Sequence, residues 1–238
     1  MTPGNELSPA SGLPTAINKL NTLLVCALGF ILCGCTHVND YGAELPYDAW
    51  RLGFLAPNYM DVWIETANVL DVKGRVFVRA MSGVAAIQTP PHLRGNPRGW
   101  PKRPGDGKGK HLWRADVPRL IYVRWQSLAE PQTYEAFIEI PEATRNAMLE
   151  VKQNTYCRGT KEWITDHREL LVIGLAPGGI AKTWIRGLCL DPIEVSRVQG
   201  HIVKKGPYEG LSEGHYYRPP NKESQAYIDK FGIPYDSW

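Results

Sequence analysis

Three groups of residues in this chain could do chemistry: the adjacent pair Asp166-His167, the run Gly105-Asp106-Gly107-Lys108-Gly109-Lys110, and the cysteines. A carboxylate beside an imidazole is half of an acid–base pair, useful only if a nucleophile folds against it. Without one, Asp166-His167 reads as a turn or surface pair. The glycine run has the composition of a phosphate cradle. A working cradle follows a strand, opens a helix and carries Ser or Thr after its Lys. Here prolines precede the run and His111-Leu112-Trp113 follows it. The chain has no G-x-S-x-G placed at a strand-to-helix elbow and no H-E-x-x-H, and its six histidines form no cluster at ligand spacing. The expectation is a non-enzymatic protein with no catalytic residue, no metal and no cofactor.

The cysteines divide by position. Leu23 to Leu32 is an apolar run too short to cross a bilayer of about 30 Å as a helix. With Lys19 ahead of it, it suits the core of a secretory signal. It ends in Leu32-Cys33-Gly34-Cys35, an aliphatic residue, two small residues and a cysteine, which is the pattern of a bacterial lipobox. The expected processing removes residues 1–34 as a signal peptide and acylates Cys35. Two or three acyl chains at about 0.8 kcal/mol per buried CH₂ hold a protein on a membrane almost permanently. The mature chain would then be periplasmic and lipid-anchored to the envelope. Thr36 in place of Asp favours the outer membrane by the general sorting rule of such lipoproteins. Cys157 and Cys189 remain as an even pair in an oxidising compartment, and a disulfide between them is the natural reading.

Residues 88–118 are dense in Gly and Pro and lack periodicity, so they read as one long loop, of a length that compact domains use for function or leave disordered. Arg94, Arg98, Lys102, Arg103, Lys108, Lys110 and Arg114 are set there against only Asp106 and Asp116, with Trp100 and Trp113 interleaved. Arg and Trp are the residues that dominate interface hot spots. The stretch is therefore the candidate partner-binding surface, with a solvated loop lying near anionic headgroups as the alternative. A formal net charge of +3 over 238 residues gives no case for nucleic acid.

These residues must be positioned by sheet. Trp50–Leu55 and Met60–Thr66 read as strands, the second with a slipped face at Trp63-Ile64. Arg75–Arg79 alternates cleanly, and Gly83–Ile87 forms a short run beside it. Leu120–Ser127 with Thr133–Ile140, and Leu170–Ala176 with Ile180–Gly187, read as two antiparallel hairpins. Ile193–Gly200 and His201–Lys205 form one bent strand or two short ones. Pro141-Glu142 opens a helix running to about Gln153, and a second helix covers Lys222–Lys230. The expected fold is α+β, mainly antiparallel β-sheet with two or so short helices and a long Gly/Pro-rich loop. Residues 35–44 form a tether and 45–238 a single domain. Leu45–Trp50 (LPYDAW) is echoed by Ile233–Trp238 (IPYDSW), which reads as two aromatic-tipped segments packing at the domain's ends.

Several strings together resemble one family: LPYDAWRLGFLAP from Leu45, MSGVAAI from Met81, GWPKRPGDGKGK from Gly99, LIYVRWQSLAEPQTYEAFIEIP from Leu120, LAPGGIAKTWIRGLCL from Leu175 and VQGHIVKKGPY from Val198. The chain resembles the bacterial lipoproteins of domain-of-unknown-function family 2931. Some of these resemble immunity proteins of type VI secretion lipase effectors. The resemblance implies a membrane-anchored periplasmic protein that binds and inhibits a phospholipase by direct contact. The alternative is an envelope lipoprotein with a scaffolding role and no toxin partner, and a hydrolase built on Asp166-His167 ranks below both.

Overall fold

A computed structural model describes residues 44–238. The expected signal peptide, Cys35 and most of the expected tether lie outside the described residues. Strand β1 (Ala49–Leu55) is followed by β2 (Val62–Asp71), β3 (Val76–Val84), β4 (Lys108–Trp113), β5 (Pro118–Ser127) and β6 (Gln132–Glu139). Helix α1 (Glu142–Leu149) leads to β7 (Lys152–Cys157), β8 (Glu162–Asp166), β9 (Leu170–Ala176), β10 (Ile180–Arg186), β11 (Ile193–Gln199) and β12 (His201–Ile202), with α2 (Lys222–Phe231) last. They form two five-stranded sheets, β11-β10-β9-β1-β4 and β12-β6-β5-β2-β3, and a separate β7–β8 ribbon. The class is α+β with mainly antiparallel sheet, as the patterning implied.

The two sheets enclose one core. Alternation along β1 sends Trp50, Leu52 and Phe54 inward, where they meet Leu171, Ile173 and Leu175 of β9 and the inner residues of the second sheet, among them Ile64, Ile121, Val123 and Ile138. Full burial of each such side chain contributes about 1.5–3 kcal/mol. The β1–β9 pair is parallel, Leu52 opposite Leu171 and Phe54 opposite Ile173. The bent segment after Ile193 proves to be two strands: β11 completes the first sheet, β12 pairs with β6 in the second, and Gly200 stands at the crossing.

Three expectations need correction. Residues 88–118 are not one loop, because β4 occupies Lys108–Trp113 and pairs with β1 along its whole length. Gly109 permits this, since a β-carbon there would collide with the Leu52 carbonyl. The first helix stops at Leu149 rather than near Gln153, and the β7–β8 ribbon follows at once. Finally, β3 is one continuous strand, and Gly83 belongs to it.

The slipped face of β2 is a bulge. Its register against β5 shifts between Ile64 and Thr66, leaving Glu65 over. A bulge re-aims a side chain, and here Glu65 joins a buried polar cluster on the outer face of the second sheet. Gln126 Nε2 donates to Glu65 Oε1 (2.9 Å), as does the Tyr208 backbone N–H (2.8 Å), and the Arg124 guanidinium bridges Glu65 and Glu209. Trp63 stacks flat on Tyr217, whose backbone N–H donates to Gln126 Oε1 (2.7 Å). Buried Asp61 takes Arg218 Nη2 (2.6 Å) and Asn221 Nδ2 (3.0 Å), and Asn221 in turn caps α2 through the Ser224 N–H. The segment from Val203 to Asn221 is thus held on the sheet by charge-assisted hydrogen bonds, the stronger kind.

Candidate partner-binding surface

The Gly/Pro-rich stretch ahead of β4 lies on the outer face of the first sheet and is fastened there from several sides. Arg51, on that face of β1, donates to the carbonyls of Asp106 (2.6 Å) and Gly107 (2.9 Å). Arg186 of β10 donates to the Pro104 carbonyl (2.8 Å) and pairs with the Asp106 carboxylate (2.7 Å). The Tyr59 hydroxyl donates to the Pro90 carbonyl (2.7 Å) and accepts from the Gly95 N–H (2.8 Å). Trp100 covers Gly174 and meets Trp184 edge-on, ring centres 5.4 Å apart. The echoed hexapeptides take part as well. Trp50 Nε1 donates to the Asp116 carbonyl (3.0 Å) and Trp238 Nε1 to the Pro97 carbonyl (2.7 Å), so the two echo tryptophans bracket the basic segment.

All seven candidate cations, Arg94, Arg98, Lys102, Arg103, Lys108, Lys110 and Arg114, are exposed. Both acids of the stretch are paired with cations. Asp106 is paired with Arg186, and buried Asp116 pairs with Arg75 (2.7 Å) and Lys73 (3.4 Å). Arg103 pairs with Asp191 (2.6 Å) and Arg98 reaches Ser237 Oγ (3.4 Å). Arg94, Lys102, Lys108, Lys110 and Arg114 have no acidic partner within 4 Å among the described residues. The stretch is therefore basic in net charge. Its part ahead of β4 is braced from below, while Lys108 and Lys110, opposite Phe54 and Leu52, leave β4 on the other face of the sheet.

The two tryptophans do not act together. Trp113 stands opposite Ala49 at one end of β1, and it is 63% exposed. Trp100 lies over Gly174, which pairs with Leu55 at the other end. At about 3.3 Å per residue the two sites are about 20 Å apart along the strand. Trp100 is half-buried and pins the loop to the sheet, so of the two tryptophans Trp113 is the one that offers an open aromatic face. Beside Trp100, residues Leu55–Asn58, Ala86–Gln88 and parts of 96–107 line a groove of about 340 Å³.

Asp166 and His167 are parted by the fold. The Asp166 carboxylate accepts the backbone N–H groups of His167, Leu188, Cys189 and Leu190 at 2.8–3.2 Å and organises the turn that carries Cys189. That turn is joined to β7 by the Cys157–Cys189 disulfide, Cα atoms 5.0 Å apart. His167 instead meets the Tyr47 ring edge-on and lines, with Asp48, His111, Trp113 and Glu169, a cleft of about 450 Å³. Burial pushes the Glu169 carboxyl above its ordinary value, with His167 opposing the shift. Burial, helped by the Glu169 charge, likewise raises the Tyr47 hydroxyl. Among the described residues no group of three or more His, Cys, Asp or Glu is placed to hold a metal, and no helix is long and apolar enough to cross a membrane.

Sequence reasoning passed over this cleft and the Glu65–Arg124–Gln126 cluster. The only advance signal for the cluster was the broken alternation at Trp63-Ile64. The cleft joins residues from β4 with the segments that lead into β1 and β9, which no local pattern reveals. No curated protein and no solved structure matches the chain. One family model does match it, over residues 36–236, and the chain therefore belongs to the family described as protein of unknown function (DUF2931).

Proposed function

We propose that this chain is a lipid-anchored periplasmic immunity protein that binds a type VI secretion phospholipase effector and inhibits it by direct contact. The observation that carries the reading is the basic stretch: exposed cations without acidic partners, of which Arg94 and Lys102 lie on a segment tied to the first sheet by Arg51, Arg186 and Trp100. Such a surface needs little ordering on binding, which leaves more of the contact energy as affinity. Its charge steers an acidic partner toward it. The lipobox sequence ending at Cys35 supports the location, since an anchored inhibitor stands where a lipase would act.

An inhibitor of this type should bury about 1,200–2,000 Å² in total with its target. Mixing the purified chain with the phospholipase encoded beside its gene should give a stable complex and loss of lipase activity. Absence of both sinks the reading. Cys35→Ser should abolish protection of cells while leaving inhibition in solution intact.

A further inference from the structure

The groove beside Trp100 has the chemistry of a peptide seat. Leu55, Ile87 and the Trp100 ring supply apolar walls, and Asn58, Gln88 and Asn96 line it with side-chain amides. Trp100 Nε1 is buried and has no hydrogen-bond partner. The side-chain amides of Asn58 and Gln88 are also unpaired within the described residues. Side-chain amides are matched to the alternating N–H and C=O of a peptide backbone, since each offers both a donor and an acceptor.

No charged residue lines the groove, yet cations flank it. Arg98 sits between the lining residues Asn96 and Gly99, and Lys102 directly follows the lining residue Pro101; both are exposed, while Asp106, between the lining residues Gly105 and Gly107, is paired with Arg186. An apolar centre with a charged margin is the anatomy of a protein-recognition site.

We propose that this groove takes an extended segment of the protein partner in which one apolar side chain is flanked by acidic residues. The apolar side chain packs on Leu55, Ile87 and Trp100. The free amides bond the backbone, and the acids meet Arg98 and Lys102. The proposal rests on the reading of the chain as a protein-binding inhibitor and places its central contact in this groove.

Gly105 supplies the test. It lines the groove, and a β-carbon there meets nothing within 4 Å, so Gly105→Leu fills the space without disturbing the fold. Gly159, equally open in the β7–β8 turn, gives the control Gly159→Leu. The ¹⁵N-tryptophan-labelled full chain in detergent micelles is titrated with capped Asp-Leu-Asp, Asp-Ser-Asp and Lys-Leu-Lys peptides at millimolar concentration. The indole signal of Trp100, identified by its absence in Trp100→Phe, should move with Asp-Leu-Asp. The other two peptides should bind about tenfold or more weakly. Gly105→Leu and the double variant Asn58→Ala/Gln88→Ala should lose the response, and Gly159→Leu should keep it. A Trp100 signal that ignores Asp-Leu-Asp, or moves equally with Lys-Leu-Lys or in Gly105→Leu, overturns the proposal. Phospholipase inhibition is read separately. Full inhibition by Gly105→Leu overturns the groove contact and leaves the inhibitor reading standing. Failure of the wild-type chain to inhibit overturns the inhibitor reading, while the peptide titration still decides what the groove binds.

Discussion

Trp100 lies so close over Gly174 that a β-carbon on Gly174 would stand 2.6 Å from the indole ring. This contact couples the surface segment to a strand in the centre of the first sheet. Gly174→Ala should therefore lift Trp100 and destabilise the chain by about 1–3 kcal/mol, the usual cost of overpacking. Chemical denaturation measures the loss, and faster proteolysis confined to residues 88–107 would show where it acts. An unchanged midpoint would mean that the ring moves aside freely.

The unpaired cations should act on association rate rather than on folding. Reversing Lys108, Lys110 and Arg114 to Glu removes no ion pair among the described residues. Stability should stay within about 0.5 kcal/mol of wild type. The association rate with the phospholipase at low salt should fall about tenfold or more, and the gap should narrow as salt is raised. Stopped-flow mixing at two ionic strengths checks both statements.

Asp166 should prove structural and His167 dispensable to the fold. Replacing Asp166 by Ala strands four backbone N–H groups in the Cys189 turn, a loss of about 3 kcal/mol or more. Opening the disulfide by Cys157→Ser/Cys189→Ser should cost roughly 2–5 kcal/mol. The two share one turn, so the combined variant should lose less than the sum. Additive losses would argue that the turn holds its shape without either.

Glu169 gives a pH dependence with a definite sign. Its carboxyl is held above the ordinary value chiefly by burial, so the fold favours the protonated form. The stability this contributes is fully present below the unfolded value near 4.5 and is lost as pH rises through the raised folded value. Glu169→Gln, which cannot ionise, should melt higher than wild type above that window. Below pH 4.5 the two should melt alike. Equal melting temperatures at neutral pH would show that the cleft solvates the charge.

What the sequence disclosed follows from how local each signal was. The hairpins β5–β6 and β9–β10 carry alternating β-branched and aromatic residues around short turns, and both were legible. The disulfide was legible from the count of cysteines left after processing. Strand β4 was hidden because Lys108, Gly109, Lys110 and His111 have loop composition, and its pairing rests on backbone contact with β1. The β7–β8 ribbon was hidden for the same reason, being polar and largely exposed. The parallel β1–β9 pair joins distant segments and leaves no local trace. At the surface, the exposure of the cations was readable. The burial of Trp100 was not, because its partner Gly174 shows nothing in sequence except an absent side chain.

The brackets set by Trp50 and Trp238 bear on when the surface comes into being. One indole holds the Asp116 carbonyl and the other the Pro97 carbonyl, and the two tryptophans belong to the first strand and to the last described residue. Contacts of such long range form late, because chain entropy must be lost before they reward it. The basic segment reaches its final shape only when both flanks of the chain have folded around it. A half-folded chain would therefore present no finished basic segment, and the shape of that segment becomes a report that both flanks have folded.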